Sequence, residues 1–405
     1  MENRLTERPN FKLAIDDPAY FVGRNQLLNE IKRAPCEIRI LLGGRRIGKT
    51  SLLHAIQWSL LDPSLDQANR TFPVLINLEV EKPQGLDNLR YIMIARLRES
   101  IEKWQNIPGA TLREMYRSYL RQVVDGEIGV KFLELINVKL KVDNPDKKRQ
   151  LIHDDFRQAM LKTINDLKHK QFNGVCFLFE RAEFIARQKE WANDAWSYFR
   201  GLKDTEVALK PYLGFFLSGY RELKEYQQEV GSPLLNIADI SWLSSLTDSE
   251  IKALIACRQK SEEIPISEKG ISFVTEWAGG HPYLTQQMLN AVSNKYLAGE
   301  KIRLDQLTDE LLQQHDHDFS VWWNVAQEVG GLDENARKVY QILIEQRQAN
   351  VVSLAQNSHL SPMKTRHLLD VLVGAGIIRK LDNGIYKIGA RLFEEWVKQQ
   401  PPGFH

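Results

Sequence analysis

Eight consecutive residues, Gly43-Gly44-Arg45-Arg46-Ile47-Gly48-Lys49-Thr50, carry the spacing G-x-x-x-x-G-K-[ST]. Glycines at these positions let backbone N–H groups curl around phosphate oxygens, and the start of a following helix adds a partial positive charge. Lys49 would bridge β- and γ-phosphates as a point charge, and the Thr50 hydroxyl would sit on Mg²⁺. A chance Gly-rich turn of this form is expected on the order of 1% of the time in a chain this long at average residue usage. The flanks agree with a phosphate-binding loop, because an apolar run, Ile38 to Leu42, precedes it and an apolar-periodic helix, Ser51 to Leu60, follows.

Phosphate chemistry on such a loop needs a carboxylate at the tip of a neighbouring strand for the Mg²⁺ water shell, and commonly a second one to polarise water. The candidate follows Val175-Cys176-Phe177-Leu178-Phe179, where the chain reads Glu180-Arg181-Ala182-Glu183-Phe184-Ile185. In this register Glu180 takes the metal side and Arg181 stands where a general base would be. Shifted by one, Glu180 becomes the base and Phe179 leaves the metal without its carboxylate. One carboxylate is missing either way. An arginine cannot accept a proton from water, so hydrolysis is expected to be slow unless Glu183 or a group from another chain substitutes.

The elements that must position these residues are legible as five short apolar runs: Ile38 to Leu42, Val74 to Leu78, Val175 to Phe179, Tyr212 to Leu217 and, more weakly, Ile237 to Trp242. Continuous rather than alternating apolar runs suit strands buried on both faces, and their alternation with helical stretches predicts a mainly parallel five-stranded α/β sheet. The long segment between the second and third runs, about 106 to 150, is expected to be an insertion. Its Gly129 to Val142 alternates in part like a hairpin, and partner contacts are expected there.

From Leu246 the pattern turns helical. Thr247 and Glu250 form a capping box, and Gly279-Gly280-His281-Pro282 separates Ile271 to Trp277 from Tyr283 to Tyr296, glycine stopping one helix and proline starting the next. Farther on, Ala336 to Glu345, Val351 to Gln356 and Pro362 to Val373 read as helices. They precede a hairpin of Ile377 to Leu381 and Ile385 to Ile388 turned by Asp382-Asn383-Gly384. Three helices and a β-wing describe a winged helix. The expected domains are a lead segment 1–20, a P-loop core 21–243, a helical lid 244–328 and a winged helix 329–405.

Taken together, Phe21-Val22-Gly23-Arg24, Gly43 to Leu53, Glu180 to Ile185, Phe216-Leu217-Ser218-Gly219-Tyr220-Arg221 and Gly279 to Leu284 resemble the STAND NTPases. They are also similar to AAA+-like, archaeal-type P-loop ATPases that carry a winged helix. The resemblance covers about residues 20 to 400 and implies ATP or ADP with Mg²⁺ as ligands. It also implies that Val22, Gly23 and Arg24 border the adenine and ribose, that the loop from Gly43 to Ser51 holds the phosphates, and that Ser218 or Arg221 senses the γ-phosphate. His281 and Pro282 would contact nucleotide from the lid. Simple helix punctuation is the plain alternative for Gly279 to Pro282, and a solvated cation for Arg221. Arg200 stands where AAA+ relatives offer an arginine finger to a neighbour, but STAND proteins often lack one, and a plain surface arginine is favoured.

The resemblance implies a signalling switch in which nucleotide state sets the lid and winged-helix arrangement and hence partner binding or self-assembly. No effector domain and no WD, TPR or leucine-rich repeats are recognisable, so a protein partner is expected to supply them. The alternative is a DNA-associated ATPase gripping duplex with Lys364, Arg366 and His367. From Asp333 to Lys398 there are 10 basic and 7 acidic side chains, a net of +3, too little for a strong phosphate-binding surface. A P-loop phosphotransferase would need an acceptor site, and none is recognisable.

Composition sets the outer limits. The chain has 405 residues, 43% hydrophobic and 26% charged, with net charge +2 and no long apolar run. That is enough for two or three cores and gives no strong steering field and no membrane span. Cys36, Cys176 and Cys257 lie far apart, which argues against a disulfide framework or a zinc site. With no apolar signal core in Met1 to Asp17, the expected location is the cytoplasm.

Overall fold

The computed structural model describes residues 10–62, 64–66, 69–105, 151–220, 223–224, 234, 236–324 and 331–400. The expected insertion at about 106–150 and Arg221 lie outside the described residues. Along the chain run α1 (Asn25–Arg33), β1 (Ile38–Leu42), α2 (Lys49–Leu61), β2 (Thr71–Asn77), α3 (Leu78–Glu81), α4 (Leu86–Gln105), α5 (His153–Lys168), β3 (Gly174–Glu180), α6 (Glu183–Ala186), α7 (Ala192–Asp204), β4 (Leu213–Gly219) and β5 (Asp239–Trp242). Then come α8 (Asp248–Glu262), α9 (Glu268–Ala278), α10 (Pro282–Leu297), α11 (Leu304–Gln314), α12 (Asp316–Trp323), α13 (Glu334–Gln346), β6 (Gln348–Ala349), α14 (Val351–Ser358), α15 (Pro362–Gly374), β7 (Ile378–Lys380), β8 (Tyr386–Ile388) and α16 (Arg391–Gln399).

The first five strands form one parallel sheet in the order β2-β3-β4-β1-β5. Its centre is apolar on both faces, as the sequence requires: every residue of β4 and all of β3 but Glu180 are buried. Edge strand β2 tolerates Pro73, which has no N–H to give a ladder. It ends one residue earlier than its apolar run, because the Asn77 side chain accepts from the amides of Glu79 and Val80, both at 3.1 Å, and starts a helix at Leu78.

The chain divides into two compact units. One holds Asn25–Ile40 and Leu52–Ile240. Its core stacks Phe177 on Phe215 with ring centroids 6.1 Å apart and sets Phe199 against Phe215 at 5.0 Å. The other unit holds the chain up to Arg24, then Leu41–Ser51 and Ser241–His405. One apolar cluster runs through it from Leu246 to Trp396, joining the helices before residue 328 to those after it. Phe393 sits at its centre, fully buried, 5.5 Å from Phe319, 5.8 Å from Trp322 and 5.6 Å from Tyr340.

The capping box at Thr247 and Glu250 forms as expected, and so does the hairpin turn at Gly384, where φ is 75°. The expected elements leave out α11 and α12, and two more beyond them. Two-residue strand β6 pairs with β8 and makes the hairpin three-stranded, and α16 closes the chain with Leu392, Phe393 and Trp396 turned inward. Among the described residues no helix is long and apolar enough to cross a membrane.

Candidate functional site

The loop from Gly43 to Gly48 is strung between the last residue of β1 and the first of α2. Two residues turn it through the left-handed region, Arg46 at φ 59° and Gly48 at φ 94°. Nothing lies within 4 Å of where a Cβ would stand on Gly48, so glycine is required there for conformation, and the backbone stays open to a close-approaching ligand. At Gly44 the restriction is space: a Cβ would meet the Ala375 α-carbon at 2.8 Å.

Backbone and lysine bonds then hold the loop. The Gly44 N–H donates to the carbonyl of Gly374 at 2.7 Å, at the end of α15. Lys49 Nζ donates to the carbonyls of Gly43 and Gly44 at 2.8 and 2.7 Å, so the ammonium lies across its own loop. Ile47 is buried, Arg45 and Thr50 are half-buried, and the Ser51 hydroxyl accepts from the Ile15 N–H at 2.9 Å. The N-terminal strap, residues 10–20, therefore meets the first turn of α2.

Val22, Gly23 and Arg24 make a tight turn with φ 91° at Gly23 and 61° at Arg24, and Val22 packs on the apolar cluster. The Arg24 N–H donates to Glu250 Oε1 at 2.6 Å, and its guanidinium donates to the Ser244 carbonyl. Glu250 thus closes the capping box of α8 with one oxygen and clasps this turn with the other. Burial opposes its charge, but the amides of Thr247 and Arg24 outweigh that and hold the carboxyl below its ordinary range. Only the cap was legible in the sequence; a clasp between residues 226 apart was not.

Gly279 closes α9 in the left-handed conformation, His281 caps α10, and Pro282 opens it. A Cβ at Gly279 would lie 1.7 Å from the Gly389 carbonyl oxygen and one at Gly280 2.4 Å from that of Leu246, so the pair is needed for close backbone crossing as well as punctuation. The His281 ring is fully buried and stacks on Trp322 at 4.8 Å, and its Nδ1 accepts from the Leu284 N–H. Burial, helped by the positive charge of Arg46, pushes its pKa down to about 3, so the ring is neutral at pH 7.

In the other unit the acidic residues gather at the ends of β3 and β4. Asn77 and Glu180 are register partners, and Asn77 Nδ2 donates to Glu180 Oε2 at 2.9 Å. Arg181 adopts φ 60° and reaches Glu79 at 3.4 Å, both about half exposed. Glu183 is buried, and a Cβ on Gly219 would meet its Oε2 at 2.7 Å; the Ser218 carbonyl accepts from the Ala182 N–H at 2.9 Å. Ser218 is itself fully buried. Arg200 lies apart, paired along its own helix with Asp204 at 2.9 Å. In the sequence the only signal of Asn77 is a polar residue interrupting the apolar run Val74 to Leu78.

Among the described residues no cluster of His, Cys, Asp and Glu could hold a metal ion by itself. The loop does suit a phosphate ligand, through the open backbone at Gly48, the Lys49 ammonium and the helix start behind it.

No protein-family profile matches the chain, and no curated protein does. Solved structures do. The Walker-type ATPase of Pyrococcus abyssi superposes with a TM-score of 0.57 at 15% identity, covering 95% of this chain and 98% of that one. The Aeropyrum pernix ORC2 protein gives 0.44 at 10% identity over 95% and 97%, and the Thermotoga maritima RuvB Holliday junction branch migration motor 0.38 at 12% over 96% and 99%. The first of these likenesses supports the fold, a five-stranded parallel α/β sheet of the P-loop type followed by a helical C-terminal region.

Proposed function

We propose that the protein binds adenine nucleotide at Gly43 to Ser51 and acts as a STAND-like switch, holding the nucleotide rather than cycling it quickly. The observation that carries this reading is the hydrogen bond from the Gly44 N–H to the Gly374 carbonyl. It ties the phosphate-binding loop to the last turn of α15, in the three-helix, three-strand module that we read as a winged helix. A loop that grips both phosphate and a C-terminal module can couple one to the other, by as much as nucleotide binds the two arrangements differently.

Bound nucleotide with Mg²⁺ would supply the phosphate anhydride and the charge that Lys49 meets. Lys49 would turn from the Gly43 and Gly44 carbonyls to the β- and γ-phosphates, and Thr50 would offer its hydroxyl to the ion. Glu180, which accepts from Asn77 Nδ2 at 2.9 Å, is the carboxylate that we assign to the metal side. The residue that should polarise water is Arg181, and Glu183 is buried against Gly219, which supports slow hydrolysis. The neutral, buried His281 supports a role in shaping the lid near the loop.

Turnover tests this reading. With Mg²⁺ and ATP, kcat is expected at least tenfold below the ordinary range of about 1 to 100 s⁻¹ for phosphoryl transfer. A value inside that range would mean that another base is at work and that the protein cycles. A second reading, duplex DNA binding, draws on the exposed Lys364 and Arg366 of α15. Its mark would be affinity that falls steeply with salt and weakens in the Lys364→Ala, Arg366→Ala double variant.

A further inference from the structure

Arg46 is an unusual occupant of the phosphate-binding loop. It is a large residue at φ 59°, a conformation that non-glycine residues keep only where their surroundings impose it. The surroundings here are three. Its guanidinium pairs with Asp318 Oδ1 at 3.0 Å, donates to the Lys12 carbonyl at 3.1 Å and lies 4.1 Å over the centre of the Tyr283 ring. Loop, N-terminal strap, α10 and α12 therefore meet on one side chain.

Asp318 is itself held in place. Its Oδ2 accepts from the Tyr283 hydroxyl at 3.0 Å and lies 3.2 Å from His315 Nδ1, which leaves Oδ1 aimed at Arg46. His315 is buried, edge-on to Tyr283 at 5.5 Å and against Phe319 at 6.0 Å, so the ring cannot swing to release the carboxylate. An isolated surface ion pair has a loose geometry and little effect. This one is bounded on both sides: the carboxylate by two fixed partners, the guanidinium by an aromatic face and a carbonyl.

We propose that Asp318 is a positioning residue for the phosphate-binding loop. By fixing Arg46 it holds the left-handed turn in the shape that binds phosphate, and it makes the loop and α12 open or close as one. The functional part of this inference rests on the reading of Gly43 to Ser51 as an adenine nucleotide site; the mechanical part does not. Losing the latch leaves Lys49 and the loop amides in place but no longer preorganised, and binding must then supply the ordering.

The test uses the full chain and two readouts. Hydrogen exchange of the peptide spanning the loop, without nucleotide, is expected to speed up at least tenfold in Asp318→Asn. ADP affinity by calorimetry is expected to fall about tenfold, equivalent to about 1.4 kcal/mol. Arg46→Gln should do the same, the double variant should do no more than either alone, and Asp318→Glu should recover part of the loss. Tyr283→Phe, which keeps the ring and the charge but drops one bond to Asp318, should give a smaller change in the same direction if Asp318→Asn proves too unstable to purify. Unchanged loop exchange in Asp318→Asn, or additive effects in the double variant, would overturn the latch. Faster exchange in a protein whose wild type binds no ADP would uphold the latch and reject the nucleotide reading.

Discussion

Lys49→Ala is expected to weaken binding of ADP or ATP at least about 100-fold, close to 2.7 kcal/mol, while the protein stays folded. The ammonium lies 2.8 and 2.7 Å from the carbonyls of Gly43 and Gly44, within reach of anything the loop encloses. Charge-assisted bonds from an ammonium to phosphate are about twice as strong as neutral ones, and the half-buried position of Lys49 limits screening by salt. The bonds that Lys49 makes to the Gly43 and Gly44 carbonyls lie within its own loop and join no distant elements, so stability should change far less than affinity. Calorimetric titration with Mg²⁺-ADP checks this, next to a thermal melt. Affinity within threefold of wild type would mean that the loop does not grip phosphate.

Acid should destabilise the unit that contains His281, through that residue. Its folded pKa, about 3, lies below the unfolded value of about 6.5. Between these values the unfolded chain holds a proton that the buried ring refuses, so the stabilisation is fully present above about pH 6.5 and is lost as pH falls toward 3. Arg46 is the cation that adds to this shift, and Asp318, on the neighbouring α12, opposes it. Going from pH 7 to pH 5 should cost about 2 kcal/mol from this group alone. Asp318 and Glu250, both held below the ordinary carboxylate range, act in the same direction only at lower pH. Urea unfolding at the two pH values checks the size, and His281→Asn, which can still cap α10, should lose most of the difference. An equal pH dependence in wild type and variant would place the acid sensitivity elsewhere.

The sequence displayed the parts of the fold that depend on local chemistry. Strand β1 coincides with its apolar run, and the capping box, the break between Gly279 and Pro282 and the turn at Gly384 fall where the local residues point, because each is decided by residues within a few positions of one another. Strand β2 ends one residue before its apolar run does because Asn77 has two duties, ending the strand and capping a helix, and only its side-chain geometry reveals the second. The apolar spacing of Leu392, Phe393, Trp396 and Val397 in α16 is only about two turns long and follows a hairpin, so it stands out weakly from the sequence around it.

The candidate site shows the same limit more sharply. Gly43 to Thr50 announces itself, since the requirement for backbone curvature next to a lysine is written in adjacent residues. Glu250 under Arg24, Gly374 on Gly44 and Asp318 on Arg46 do not, because each partner lies more than 200 residues away and is an ordinary residue where it stands. Arg200 is the opposite case, a position marked by analogy, whose guanidinium is paired with Asp204 along its own helix.

The most direct measurement is of what the purified protein already carries. Denaturing the full-length chain and separating the released small molecules should give ADP or ATP in an amount comparable to the protein, and Lys49→Ala prepared in parallel should release far less. Release of none from the wild type, with no ADP or ATP binding by calorimetry at micromolar protein, would contradict the account at its centre.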